Sequence, residues 1–322
     1  MPGPLRQSRG PGAQVGQQAW DSQPARRPVC HADQLVRSSV RQLKPSRGQT
    51  GGMARPLVLM AVHAHPDDEA IGTGGILARY SAEGVRTVLV TCTNGEQGDG
   101  PEGVKPGDPG HDPARVAEIR ADELRAAAGH LGVSELEMLG YRDSGMAGWG
   151  ANEDPGVFCN LPLAEASERV AELMRRHRPQ VVVTYDSNGN YGHPDHIQAH
   201  RAAVAAAEST GIPAKVYYSA VPRSGLQLMR EQLEAAGADV DEFGIPDDFG
   251  VPDELVNAAI DVSGYVDAKL EALNAHASQT ENFFLRRLPP DVLSLVLSRE
   301  YFTLRSNESA AGMEDDLFAG LR

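Results

Sequence analysis

Leu57-Val58-Leu59-Met60-Ala61-Val62-His63-Ala64-His65-Pro66-Asp67-Asp68-Glu69 runs from an unbroken apolar stretch straight into a turn dense in histidine and carboxylate. A short apolar run without polar alternation is what a strand buried on both faces requires, and such strands belong to parallel sheets covered by helices. Gly72, Gly74 and Gly75 come next, then a helical stretch over 76–83 closed by Gly84. We read the glycines as positions of close chain approach near the turn. Strand, turn and helix in this order open an α/β fold.

The same unit recurs along the chain. Strands are expected at 85–91, 135–139, 181–185 and 215–220, and helices at 114–129, 162–176 and 200–207. A second histidine-rich turn, Gly192-His193-Pro194-Asp195-His196, follows the apolar run Val181-Val182-Val183-Thr184-Tyr185. Strand–helix alternation on this scale predicts a three-layer, Rossmann-like α/β fold with a mainly parallel sheet. Ligands in such sheets collect beyond the carboxyl ends of the strands. Both histidine turns lie at such ends, so they are predicted to meet in space.

Beyond residue 220 the pattern is less regular. A helix at 229–236 leads to an acidic, turn-rich segment at 238–252, a strand at 256–262, helices at 265–276 and 291–297, and a short strand at 300–304. No composition break within 53–322 calls for a second domain. Residues 1–52 differ: they hold eight Arg or Lys against two Asp, with abundant Gln, Ser, Gly and Pro and no apolar period. A segment of that composition cannot offset the entropy of ordering itself, so it is expected to be a disordered basic extension, and Met53 offers a natural start for the domain.

The bulk composition narrows the function. The formal charge is −14 over 322 residues, which argues against nucleic acid as a partner. No run of eighteen apolar residues suggests a membrane span. Cys30, Cys92 and Cys159 are few and unpaired in spacing, so a reducing, cytoplasmic setting is expected. The sequence leaves oligomeric state open, a homo-oligomer included.

Together the two turns hold the parts of a metal hydrolase. Catalytic zinc takes three protein ligands from imidazole and carboxylate and keeps a position for water. His65 and Asp68, three apart across a turn, with His196 from the other turn, form such a set; Fe, Co or Ni would also suit it. Asp67, between two ligands, is free to serve as general base, with His193 opposite it as acid or electrostatic stabiliser and the Tyr191 phenol nearby. His63, Glu69 and Asp195 are expected to orient the ligand imidazoles from behind or to start helices. A dinucleotide site is the competing reading, but Gly72-Thr73-Gly74-Gly75 lacks the Gly-x-Gly-x-x-Gly spacing, and three acidic residues stand where a pyrophosphate would be received.

The first turn, with Val62-His63 before it and Gly74-Gly75 after it, resembles the signature of the LmbE-like, or PIG-L, N-deacetylases. Tyr185-Asp186 with Tyr191-Gly192-His193-Pro194-Asp195-His196 resembles that family's second motif. The likeness extends through 91–98, Arg120-Ala121-Asp122-Glu123-Leu124, 139–146 and Lys269 to His276-Ala277-Ser278-Gln279. Within the family it is strongest to the bacterial mycothiol-pathway enzymes, the N-acetylglucosaminyl-inositol deacetylases and the mycothiol conjugate amidases. The resemblance implies a Zn²⁺-dependent hydrolase of an N-acyl, typically N-acetyl, group on an amino sugar, by attack of zinc-bound water with Asp67 as base. It implies His65, Asp68 and His196 as zinc ligands, with His193 and Tyr191 at the reacting carbonyl. Asn94, Glu96, Arg120, Arg142 and Asp143 become candidate contacts to sugar hydroxyls. Residues 1–52 and 221–255 depart from the family pattern, which leaves a conjugate amidase or a deacylase of a secondary-metabolite glycoside as alternatives. A sugar- or metal-binding protein without catalysis would not need Asp67 and His193.

Overall fold

Val58–His63 (β1) is buried along its whole length because helices cover both of its faces. Leu59 and Ala61 point into one apolar layer, while Val58, Met60 and Val62 point into the other. The computed structural model describes residues 56–235, 249–279, 288–306 and 312–322. The expectations for 1–52 and for most of the acidic segment 238–252 lie outside the described residues.

From β1 the chain passes through helix α1 (Asp68–Gly72) and α2 (Gly74–Ala82) to β2 (Arg86–Thr93), then α3 (Pro113–His130), β3 (Glu135–Tyr141), α4 (Leu163–His177) and β4 (Val181–Thr184). A kinked turn, α5 (Gly189–Gly192), precedes α6 (Pro194–Thr210) and β5 (Lys215–Ala220). After α7 (Arg223–Ala235) come β6 (Ala258–Asp261), α8 (Val266–Ala275), α9 (Pro290–Leu297) and β7 (Arg299–Leu304).

The described strands form one sheet in the order β3-β2-β1-β4-β5-β7-β6. The first five run parallel, whereas β7 pairs antiparallel with both β5 and β6. The sheet is therefore the expected mainly parallel one, with an antiparallel extension that the sequence pattern did not distinguish. Chain order reverses between β1 and β4, which are hydrogen-bonded neighbours in register from Leu59↔Val181 to Ala61↔Val183. Such a reversal opens a crevice at the carboxyl ends of the two strands. Both histidine turns leave the sheet there.

One layer packs Ile76, Leu77 and Tyr80 of α2, Leu124 and Ala127 of α3, and Ala272 and Leu273 of α8 onto the sheet. The other uses Val170, Leu173 and Met174 of α4 against the alanine face of α6, Ala199, Ala202, Ala203 and Ala206. The small residues let α6 lie close to α4 and carry its first turn up to the crevice.

Gly75 corrects one expectation. The neighbour that excludes a side chain there is Val262, after β6, and not the functional turn: a Cβ on Gly75 would stand 2.5 to 2.9 Å from three Val262 side-chain atoms. The α2 start is held from the same direction, since the Glu300 carboxylate of β7 accepts from Gly75 N and Ile76 N, both at 2.8 Å, and pairs with buried Lys269. Gly75→Ala is expected to destabilise the fold by about 1–3 kcal/mol through overpacking. Adding Val262→Ala should recover part of that loss in urea melts; equal melting of the single variant and the parent would refute the tight fit.

Candidate metal centre and active site

β1 ends at His63, and Thr93 of β2 pins the next residue, its N and Oγ1 donating to Ala64 O at 2.8 and 2.9 Å. From this fixed point the chain turns through His65, Pro66 and Asp67 into α1. Asp67 adopts φ 108, a left-handed conformation that an L residue takes only under restraint. Its N–H donates to Glu69 Oε2 at 2.9 Å, and Arg120 Nη2 donates to its Oδ2 at 3.0 Å.

The second turn is a helix start. His193 is the N-cap of α6, Pro194 is its first residue, and the His193 Nδ1 accepts from Asp195 N at 3.2 Å. Pro at this position fixes φ and lacks the N–H that would otherwise be orphaned. His196 then falls on the inward face of the first helical turn. Gly189 (φ 62) makes room for it, since a Cβ there would come within 2.7 Å of His196 Cβ.

Three of the expected residues converge closely. His65 Nδ1 is 3.2 Å from His196 Nε2 and 3.3 Å from Asp68 Oδ2, and His196 Nε2 is 3.3 Å from Asp68 Oδ1. A tetrahedral ion with ligands at about 2.0–2.1 Å holds neighbouring ligand atoms about 3.3 Å apart, a spacing that the two ring nitrogens match, as does each ring nitrogen with the Asp68 oxygen nearest to it. The remaining ring nitrogens face away: His196 Nδ1 meets Gly189 O at 3.2 Å, and His65 Nε2 lies 3.3 Å from Asp195 Oδ2 and 3.5 Å from Asp143 Oδ1. Such outward partners fix the tautomer so that the inward nitrogen carries a lone pair. Among the described residues, the groupings in which one donor atom from each of three residues lies within 4.8 Å of the others are His65 with His193 and His196, and His65 with Asp143 and Asp195. In the first, His193 Nδ1 accepts from Asp195 N, and the second lies on the hydrogen-bonding side of His65.

Charge follows the geometry. Burial alone would raise the Asp68 carboxyl, but His196 and His65 overcome it and hold it well below the usual carboxylate range. Burial opposes charge on His65, yet Asp143, Asp195 and Asp68 raise its pKa well above that of a free imidazole. The carboxylates around His65 thus favour positive charge at this point. Burial, and then the His65 and His196 rings, push His193 down to about 2. Burial pushes Asp67 up to about 6, against the pull of Arg120.

The other expected residues divide. The Tyr191 ring lies 5.0 Å from the His196 ring and 6.2 Å from that of His193, about half exposed. His63 is buried, its Nε2 2.8 Å from Thr73 Oγ1. Glu69 is fully buried, and Asp195 also accepts from Ser144 N at 2.8 Å. Glu96 is 9% exposed, and its Oε2 has no partner among the described residues. Asn94 donates to Gly140 O at 3.3 Å.

Three candidate sugar contacts depart from their expected setting. Arg120 is 4% exposed, its guanidinium spanning Gly95 O, Pro66 O and Asp67 Oδ2, because α3 runs beneath the first turn. Arg142 turns to the surface and pairs with Asp154 at 2.7 Å. Asp143 is 3% exposed, facing His65 and accepting from Gly145 N and Gln97 N.

Two site neighbours carried no role in the sequence reading. Tyr185 OH donates to Asp68 Oδ2 at 2.7 Å and accepts from Ala64 N at 2.7 Å, bridging the two turns. His276 Nε2 meets Glu69 Oε1 at 2.7 Å. Tyr185 could have been found from its place at the end of the strand before the second turn. His276 left only its motif.

Residues 60–207 match the family model of the PIG-L GlcNAc-PI de-N-acetylases. A 1D-myo-inositol 2-acetamido-2-deoxy-alpha-D-glucopyranoside deacetylase from Salinispora arenicola is 44% identical over 284 residues, covering 82% of this chain and 91% of that protein. The enzyme of the same name from Geodermatophilus obscurus is 44% identical, covering 82% of this chain and 97% of its own. Among solved structures, the zinc-inhibited form of teicoplanin deacetylase superposes with a TM-score of 0.51 at 18% identity, over 78% of this chain and 100% of that one, a likeness of fold alone. With a matching family model over both histidine turns and relatives this similar along nearly their whole length, the chain belongs to the PIG-L family of de-N-acetylases.

Proposed function

We propose that this chain is a divalent-metal-dependent N-deacetylase that removes the acetyl group of 1D-myo-inositol 2-acetamido-2-deoxy-α-D-glucopyranoside, with Zn²⁺ held by His65, Asp68 and His196. The observation that carries this reading is the convergence of His65 Nδ1 and His196 Nε2, 3.2 Å apart, on the Asp68 carboxylate, one oxygen of which lies 3.3 Å from each ring, with Asp67 the preceding residue. The two curated relatives that act on this amino-sugar substrate supply the substrate class. Among the described residues, no helix is long and apolar enough to cross a membrane, so nothing there favours a lipid-embedded substrate.

When bound, the ion polarises the amide carbonyl and lowers the pKa of a water. Asp67 takes a proton from the water as its oxygen bonds to the acetyl carbon. Negative charge then develops on the former carbonyl oxygen. His193 faces it as a neutral donor: Asp195 N–H occupies Nδ1, which leaves the ring proton on Nε2. The Tyr191 hydroxyl is the second donor. As the C–N bond breaks, the nitrogen needs a proton, and the one held by Asp67 meets that need. Acetate and a free amine leave. Glu96, with an unpartnered buried oxygen, and Asn94 beside it are the sugar contacts this reading favours.

The test is incubation of purified, metal-loaded protein with the synthetic inositol glycoside, measuring acetate and primary amine. Equal release of both is expected. Release from mycothiol S-conjugates alone would make the chain an amidase. Stripping the metal with a strong chelator should abolish turnover, and one equivalent of Zn²⁺, Co²⁺ or Fe²⁺ should restore it. Full activity with verified metal-free protein would overturn the metal reading.

A further inference from the structure

The Asp67 backbone sits at φ 108, in left-handed territory that an L residue rarely enters. A conformation of this kind is strained and persists only where its surroundings over-determine it. The restraint on the amide side is Glu69 Oε2, which accepts from Asp67 N at 2.9 Å. Glu69 is itself fully buried, and its other oxygen is held by His276 Nε2 at 2.7 Å. His276 is fully buried too, and among the described residues its Nδ1 has no partner, so its ring makes one polar contact, toward the turn.

His276 is anchored independently of the site. It follows α8, and two residues later Ser278 donates through N and Oγ to the two Glu123 oxygens, each at 2.7 Å. Gln279 brackets Asp99, accepting from its N at 3.1 Å and donating to its O at 2.9 Å. A side chain mounted this way moves little, and whatever it holds is held to the helical layer.

We propose that His276 is a positioning residue for the reaction: through Glu69 it locks the Asp67 backbone in its left-handed turn and so aims the Asp67 carboxylate. This rests on Asp67 being the general base. The groups that face His276 are Glu69 and Asp67 from the turn and Arg120 from α3. Burial disfavours a charged imidazole there and Arg120 adds to that, while Glu69 and Asp67 outweigh both and raise the His276 pKa above that of a free imidazole. Without His276, the Glu69 carboxylate would lose a partner and the turn its amide-side restraint.

The alternative is a buried pair that serves only stability, and a double-mutant cycle separates the two. kcat, KM, bound metal and Tm are measured for His276→Ala and His276→Gln in the parent and in Asp67→Asn, each metal-loaded. His276→Ala should lower kcat by about 10–100-fold, as loss of outer partners at metal sites does, with KM and metal content within about twofold. His276→Gln keeps a donor and should recover most of the loss. In the Asp67→Asn background, His276→Ala should change the residual kcat by less than about twofold. An equal loss in both backgrounds overturns the proposal, as does loss of metal, which would mean that His276 acts on Asp68. If the alanine variant does not fold, His276→Asn, too short to reach Glu69, takes its place in the cycle. Failure of the base assignment itself shows separately, as undiminished kcat in Asp67→Asn alone.

Discussion

His196→Ala is expected to yield a folded protein with no bound metal and no detectable acetate release. His196 reaches the centre from a helix that starts at the other turn, and it lies 3.2 and 3.3 Å from its two prospective co-ligands. The proposed ligand set therefore spans the crevice, and without this ring the first turn offers only His65 and Asp68. Two ligands on one turn cannot hold an ion that prefers three protein contacts. Because removal of outer partners alone lowers metal affinity about 10–100-fold, loss of a direct ligand should exceed that range. The fold should survive, since α6 is held to α4 by its alanine face away from the site. His193→Ala is the matched control: it should keep its metal and lose turnover. Metal content by mass spectrometry decides between them. Metal retained in His196→Ala but lost in His193→Ala would exchange the roles of the two rings, which the wider grouping of His65, His193 and His196 makes a concrete alternative.

What the sequence disclosed, and what it did not, follows from the range of the interactions involved. β1 and β4 were legible because burial on both faces demands a continuous apolar run, a property of each segment alone. The two turns were legible because Pro66 and Pro194 mark the turns into helix and the proposed ligands lie within two residues of them. The convergence of His65, Asp68 and His196 required one more step, the rule that ligands gather where parallel strands end. Other features depend on partners far along the chain. Glu300 caps α2 from 225 residues away, and no local cap exists there for a sequence reading to find. His276 reaches Glu69 across 207 residues. Arg120 looked like a residue of the mouth because helix starts border the crevice, but the inward face of α3 carries its guanidinium under Pro66 and Asp67. Arg142 and Asp143 are adjacent on the chain and point to opposite environments, surface and core, as residues at a strand end must. Periodicity could say that they differ but not which one faces His65.

Asp67→Asn should separate activity from stability in opposite directions. The amide cannot accept the proton from water, so kcat is expected to fall about 10²–10⁴-fold, the usual contribution of a positioned general base. The metal should remain, because Asp67 is not among the proposed ligands and its carboxylate pairs with Arg120. Stability of the metal-free protein should rise. Burial raises the Asp67 pKa from 3.8 to about 6, with Asp68 and Glu69 adding to the rise and Arg120 opposing it. A carboxyl whose pKa is higher in the folded state than in the unfolded one destabilises the fold when ionised. That penalty is complete above pH 6, shrinks as pH falls toward 4, and is absent below both values. Asparagine carries no charge at any of these pH values, and it tolerates positive φ better than most residues. The metal-free variant should therefore melt above the metal-free parent at pH 7.5, and the gap should narrow as the buffer approaches pH 4. A residual gap there would report the backbone contribution at φ 108. A lower Tm at pH 7.5 would mean that the Arg120 contact outweighs desolvation, so that the ionised carboxylate is a net support of the turn. Undiminished kcat at full metal occupancy would move the base role elsewhere, and Glu69 and the histidines would be the next to test.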